Sequence, residues 1–207
     1  MSKWIRLGTL SAVGLLALAA AGCGDFLRQG TSPGLATVTL LEGAAGVNPN
    51  TFTTTLASDV ITYVKKKVNG VDTQVPTIFG DGGRVTMSLE MKDPSNTSPS
   101  PANSVTFTRY HVSYARSDGR NMPGVDVPEG FDSAMTFTVN GGGIATAGFD
   151  LVRNVAKQQA PLVSLAANDD LITVIATVTF YGQDHAGHDV SAAGKIGITF
   201  GNFGDPD

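Results

Sequence analysis

Residues 172–181 read ITVIATVTFY, and this stretch decides the fold class. Ile172, Val174, Ala176, Val178 and Phe180 fall on one side of a two-residue repeat, and Thr173, Thr177 and Thr179 fall on the other. A strand turns successive side chains to opposite faces, so the pattern predicts a strand with one face on a core. Only Ile175 departs from it. The β-branched residues on both faces suit a pleated surface.

The same period recurs on either side. Val85, Met87, Leu89 and Met91 alternate with Thr86, Ser88 and Glu90. Phe131, Met135, Phe137 and Val139 alternate with Asp132, Thr136 and Thr138, and Ile196, Ile198 and Phe200 repeat the scheme near the C-terminus. In 105–116 the parity changes: Val105 and Phe107 share one side, Tyr110, Val112 and Tyr114 the other. A strand that keeps one buried face needs an extra residue to do this, which predicts a β-bulge near Thr108 or Arg109.

Weaker strands are expected at 35–41, 52–57, 60–65, 75–79 and 144–152. Polar, Gly- and Pro-rich loops separate them at 93–104, 117–130 and 141–143. Past the N-terminal region no segment sustains a 3.6-residue apolar period, and Pro161 limits any helix in 155–165 to a turn. The expectation is an all-β, antiparallel sandwich in one domain, 35–203, with its core in 83–203.

Composition agrees. Only 15% of the 207 residues are charged and 25 are glycine, which suits a turn-rich β protein. The chain carries 14 basic and 18 acidic residues. An acidic chain does not draw in nucleic acid by general electrostatics. Lys65-Lys66-Lys67, the one basic cluster, reads as a solvated strand end.

The N-terminus is built differently. Lys3 and Arg6 precede an apolar run from Leu7 to Ala21 that closes on Ala19-Ala20-Ala21-Gly22 before Cys23. A positive start, an apolar run below the ~20 residues of a spanning helix, and small residues at its end make a secretory signal peptide. Cys23 is the only cysteine, so no intrachain disulfide forms. Residues 23–34 then read as the cysteine followed by a Gly- and Pro-punctuated tether.

Ala20-Ala21-Gly22-Cys23 resembles the lipobox of bacterial lipoproteins, with Ala20 where that family prefers leucine. The resemblance implies that 1–22 is removed, that the Cys23 thiol carries a diacylglyceryl group, and that the new amino group is acylated. Two or three acyl chains anchor stably where one is marginal. Gly24, rather than aspartate, follows the cysteine, which by the same resemblance implies the outer membrane rather than the inner. Residues 171–200 resemble the final hairpin of bacterial immunoglobulin-like domains. Without a Cys pair or a Trp after Trp4, a fibronectin-like or bacterial immunoglobulin-like relative is implied.

The candidate site residues are sparse. Asp184, His185, His188 and Asp189 flank a turn and could hold Zn²⁺, Cu²⁺ or Ca²⁺, although a solvated turn is the plainer reading. Asp118, Arg120, Asn121, Asp126 and Glu129 lie in the 117–130 loop, at the end of the sandwich where such folds place binding residues. GxSxG, HExxH and phosphate-binding loops are absent, and His111 reads as structural. The sequence therefore implies a lipid-anchored, non-enzymatic envelope module with no cofactor beyond the lipid on Cys23. Its expected partners are the membrane and an envelope protein or polysaccharide. A carbohydrate- or metal-binding accessory lipoprotein is the alternative, and an enzyme of a type that no motif identifies is the third reading.

Overall fold

The computed structural model of the chain describes residues 32–93 and 100–204; the signal-peptide, Cys23 and most tether readings lie outside them. The described chain is all-β. Three strands, β1 (Gly34–Ala44), β5 (Asp81–Met91) and β8 (Ile144–Val152), form one antiparallel sheet in the order β1-β5-β8. Five more form a mixed sheet: β2 (Thr55–Asp59), β6 (Val105–Ala115), β7 (Phe131–Val139), β9 (Ile172–Asp184) and β10 (Asp189–Gly201). Their order is β2-β10-β9-β6-β7, antiparallel except that β2 runs parallel to β10, which corrects the wholly antiparallel expectation: β2 follows β1 of the other sheet and enters this one at its edge in the direction of β10. A hairpin of β3 (Thr62–Val68) and β4 (Val71–Thr77) stands apart as a two-stranded sheet.

The period-2 residues of the sequence are the core. From β9, Val174, Ala176, Val178 and Phe180 are buried; from β5, Val85, Met87 and Leu89; from β10, Ile196, Ile198 and Phe200. Each such side chain contributes roughly 1.5–3 kcal/mol on full burial, so alternation on several strands suffices to close the two sheets on each other. Ala36, Leu41, Leu56 and Val60 from the N-terminal strands belong to the same cluster. Rings bridge the layers: Tyr110 of β6 meets Phe149 of β8 edge-on at 5.2 Å between centroids, and Phe149 meets Phe180 at 5.5 Å. A Cβ on Gly194 would come within 2.9 Å of Val38, so the missing side chain lets β1 lie close against β10.

The parity change in β6 is a bulge. Its register with both β7 and β9 shifts between Phe107 and Arg109. That lets Val105 and Phe107 as well as Tyr110, Val112 and Tyr114 face inward. The expected helical turn is α1 (Asn154–Lys157), followed by a 3-10 turn at Leu162–Ala167. Where the sequence pattern places separate weak strands at 60–65 and 75–79, the structure joins β3 and β4 through Asn69 (φ 53°) and Gly70 (φ 84°). Positive φ at both central residues is the demand of a type I′ hairpin turn, and Asn-Gly meets it.

Candidate functional site

The topology gives the molecule two unlike ends. At the near end β1 starts, paired at Gly34 with Met91, the 92–104 connection runs from β5 to β6, and short links join β7 to β8 and β9 to β10. At the far end β2, β6 and β8 finish, and three long insertions follow them: the β3–β4 hairpin, the 116–130 loop and the segment 153–171. Most exposed large apolar residues sit on these insertions, including Val68, Val71, Met122, Val125, Val163 and Leu171.

The 116–130 loop is organised around one carboxylate. Asp118 accepts hydrogen bonds from Nε and Nη2 of Arg116 and from Nε, Nη2 and the backbone N–H of Arg120, with Nη2 distances of 2.8 Å on each side. The Arg116 and Arg120 guanidiniums hold the Asp118 carboxyl well below the usual range, and Asp118 in turn raises Arg120. Asn121 accepts the Arg116 backbone N–H at 2.6 Å, and Asp126 accepts that of Met122 at 3.1 Å. Val127 is buried and pins the loop's return, while Met122 and Val125 are 61% and 60% exposed at its crest. The structure thus brings Asp118, Arg120 and Asn121 together with Arg116, and leaves Asp126 and Glu129 on the returning limb. Arg116 is one residue outside the stretch the sequence pattern singles out; its i, i+2 spacing to Asp118 is the signal for it.

The turn at the near end closes on itself. Asp184 ends β9 with a side chain 3% exposed. One oxygen accepts the backbone N–H groups of Ala186 and His188, both at 2.9 Å, and the other lies 2.9 Å from His188 Nδ1. Burial pushes the Asp184 carboxyl upward, but hydrogen bonds from His188 and from the Ser32 hydroxyl outweigh it and leave it below its ordinary value. Asp189 faces Gln183 at 2.9 Å and His185 is exposed. Asp184 and His188 therefore meet, whereas His185 and Asp189 point to other neighbours. Among the described residues no group of three or more His, Cys, Asp or Glu stands in metal-holding spacing.

A buried ion pair that the sequence pattern does not announce lies beneath the far end. Lys157 of α1 and Asp81 at the start of β5 are each 1% exposed and 2.9 Å apart. The ammonium also donates to the Asp59 carbonyl at 2.7 Å. Asp81 further accepts the Ser58 hydroxyl at 2.5 Å and the Gly46 N–H at 2.9 Å. Among the described residues no buried side-chain nitrogen or oxygen is left without a partner, and a paired, hydrogen-bonded charge is the kind a core tolerates. The node ties α1, β2 and β5 together and forms the floor on which the insertions stand.

Two tyrosines stiffen the same region. Tyr114 donates to the Leu151 carbonyl at 2.7 Å, and Tyr110 exchanges hydrogen bonds with the backbone of Asp150 at 3.1 Å. Burial, reinforced by Asp81, drives the Tyr114 hydroxyl far above its ordinary pKa. Both rings are inside, so neither offers a stacking platform for a sugar. Tyr181 lies under the Arg109 guanidinium at 4.3 Å. A depression of about 410 Å³ opens beside Gly80, Asp150 and Arg153. There the Arg153 guanidinium lies over the Phe131 ring and donates to the Asp132 carbonyl at 2.7 Å. His111 sits beside Asp132 at 3.1 Å on the outer sheet face.

Set against protein-family models, curated proteins and solved structures, the chain matches none of them.

Proposed function

We propose that this chain is a lipid-anchored cell-envelope module of immunoglobulin-like architecture that presents its far end to an envelope partner and carries out no catalysis. The strand pairing supports the architecture: β1, β5 and β8 stand where such sandwiches place strands A, B and E, and β6, β9 and β10 where they place C, F and G. The observation that carries the function is the polarity of the molecule. The chain arriving from Cys23 joins at the start of β1; of the four longest connections three lie at the opposite end and only 92–104 lies at this one. Eleven tether residues, 24–34, reach at most ~35–40 Å, so an anchored domain would stand close to the bilayer with its elaborated end outward.

Two experiments test this. Cys23→Ser should abolish lipid labelling and leave unprocessed precursor; normal processing of that variant contradicts the anchor. With Cys23 acylated, exposed Arg120→Cys and His185→Cys each offer a single thiol for a fluorophore. In vesicles carrying a headgroup quencher, the label at 185 should be quenched more strongly than that at 120. Equal or reversed quenching would remove the outward-facing end from the proposal.

A further inference from the structure

Among the described residues the β3–β4 ribbon joins neither of the two main sheets. Its two strands pair only with each other, and every residue from Lys65 to Gln74 is exposed, so both faces and both edges meet solvent. An isolated two-stranded ribbon is marginal by itself. Its cross-strand register nevertheless sorts the side chains. Val64 opposite Val75 and Val68 opposite Val71 share one face with Lys66, while Lys65 and Lys67 stand on the other. Val68 and Val71 are 47% and 65% exposed. The ribbon is basic, with three lysines against Asp72, on a chain that elsewhere has 11 basic and 17 acidic residues.

One surface of the molecule has the complementary character. The outer face of the three-stranded sheet exposes Leu35 (52%), Leu40 (40%) and Ile144 (72%). The register aligns them: Leu35 is opposite Glu90, and Ile144 is opposite Ser88, whose other neighbour is Thr37. Within the strands this face carries Glu42, Glu90 and Asp150 against Arg84 alone, and Lys92 and Asp93 just beyond β5 cancel. Branched aliphatic side chains with a net charge of two negatives lie here; branched aliphatic side chains with a net charge of two positives lie on the ribbon. The ribbon leaves the far end of the sheets, whereas Leu35, Glu90 and Ile144 lie at the near end, so one copy's ribbon reaches those residues of a neighbour more readily than its own.

We infer that the ribbon is an assembly arm that docks on the outer face of the β1-β5-β8 sheet of a second copy of this chain. Valines meet Leu35, Leu40 and Ile144, and Lys66, on the valine face, meets Glu90, with Lys65 and Lys67 on the reverse adding to the ribbon's positive field. Reciprocal docking makes a two-fold dimer, and one-way docking makes a linear array. The inference stands on the two surfaces and does not require the lipid anchor.

Sedimentation velocity of the purified protein over a concentration series tests it. Association is expected in about 0.1 M salt and should weaken at least about tenfold in about 1 M, where the screening length falls to about 3 Å. Lys65→Glu/Lys66→Glu/Lys67→Glu should be monomeric, as should Glu90→Lys/Ile144→Lys. All five positions are exposed, and unchanged melting temperatures verify that the variants fold. Mixing the two variants should restore association, because each arm then meets a face of opposite charge. The proposal is overturned by a wild-type protein that stays monomeric throughout, by association that survives both sets of substitutions, or by a mixture of folded variants that stays monomeric. A single-copy protein that sediments with anionic vesicles through Lys65–Lys67 would instead assign the ribbon to a lipid surface.

Discussion

Asp81 and Asp118 are both carboxylates held by cations at the far end, and they do opposite work. Asp81 is 1% exposed and shares its oxygens among Lys157, Ser58 and Gly46. Asp118 is 40% exposed and lies between two arginines of its own loop. Removing one partner of a buried pair leaves an uncompensated charge in a low-dielectric interior, whereas an exposed pair competes with water and salt. The difference teaches that charge under the insertions fixes the frame, while charge on them shapes a surface.

The sharpest way to break that contrast is Lys157→Met. It leaves Asp81 buried without its cation and should cost about 3–5 kcal/mol, read from the denaturant midpoint. Pairing it with Asp81→Leu should recover a large part of the loss, since the uncompensated charge goes with it. A single variant as stable as wild type would mean that the node is not buried in solution. Next in size is Tyr114→Phe, which strips the Leu151 carbonyl of its 2.7 Å donor and should cost about 1–3 kcal/mol.

A third test adds the near end. Asp184 has a lowered folded pKa, so its contribution is present above the ordinary carboxylate value and is lost as pH falls through the folded one. Melting temperature should therefore decline below about pH 4, and Asp184→Asn should flatten that decline. An identical acid slope in the two proteins would exclude Asp184 as its source. The smallest effect belongs to Asp118→Asn. Its melting temperature should hardly move, while the Arg120 amide, bonded to Asp118 at 3.1 Å, should exchange faster with deuterium. A large thermal loss here would abolish the distinction between the two carboxylates.

The sequence exposed what obeys a local rule. Alternation in 172–181 marks the central strand because burial repeats every second residue. The bulge is legible because one extra residue must flip parity between Phe107 and Tyr110. Asn69-Gly70 also carried its signal, but with no buried face the ribbon gives no alternation for the turn to connect. The Lys157–Asp81 pair was illegible for a different reason: 76 residues separate the partners, and a lysine following Val155 and Ala156 looks like any surface residue of a short helix. Asp118, Arg120 and Asn121 could be named as a loop set, yet only the fold shows that the arginines close on Asp118 rather than on a ligand. The Asp184–His188 contact belongs to the turn geometry, which also explains why His185 does not join it.

The parallel pairing of β2 with β10 joins residues 55–59 to 197–201. The second strand synthesised thus completes its ladder against the last, and β1 lies along that same final strand. A chain delivered N-terminus first must hold its opening third open until the thirteen residues of β10 arrive, and such high contact order makes folding slow. Premature termination anywhere before Asp189 would leave β2 unpaired and β9 with a bare edge, so truncated products should be substrates for proteases and chaperones rather than smaller working versions of the domain.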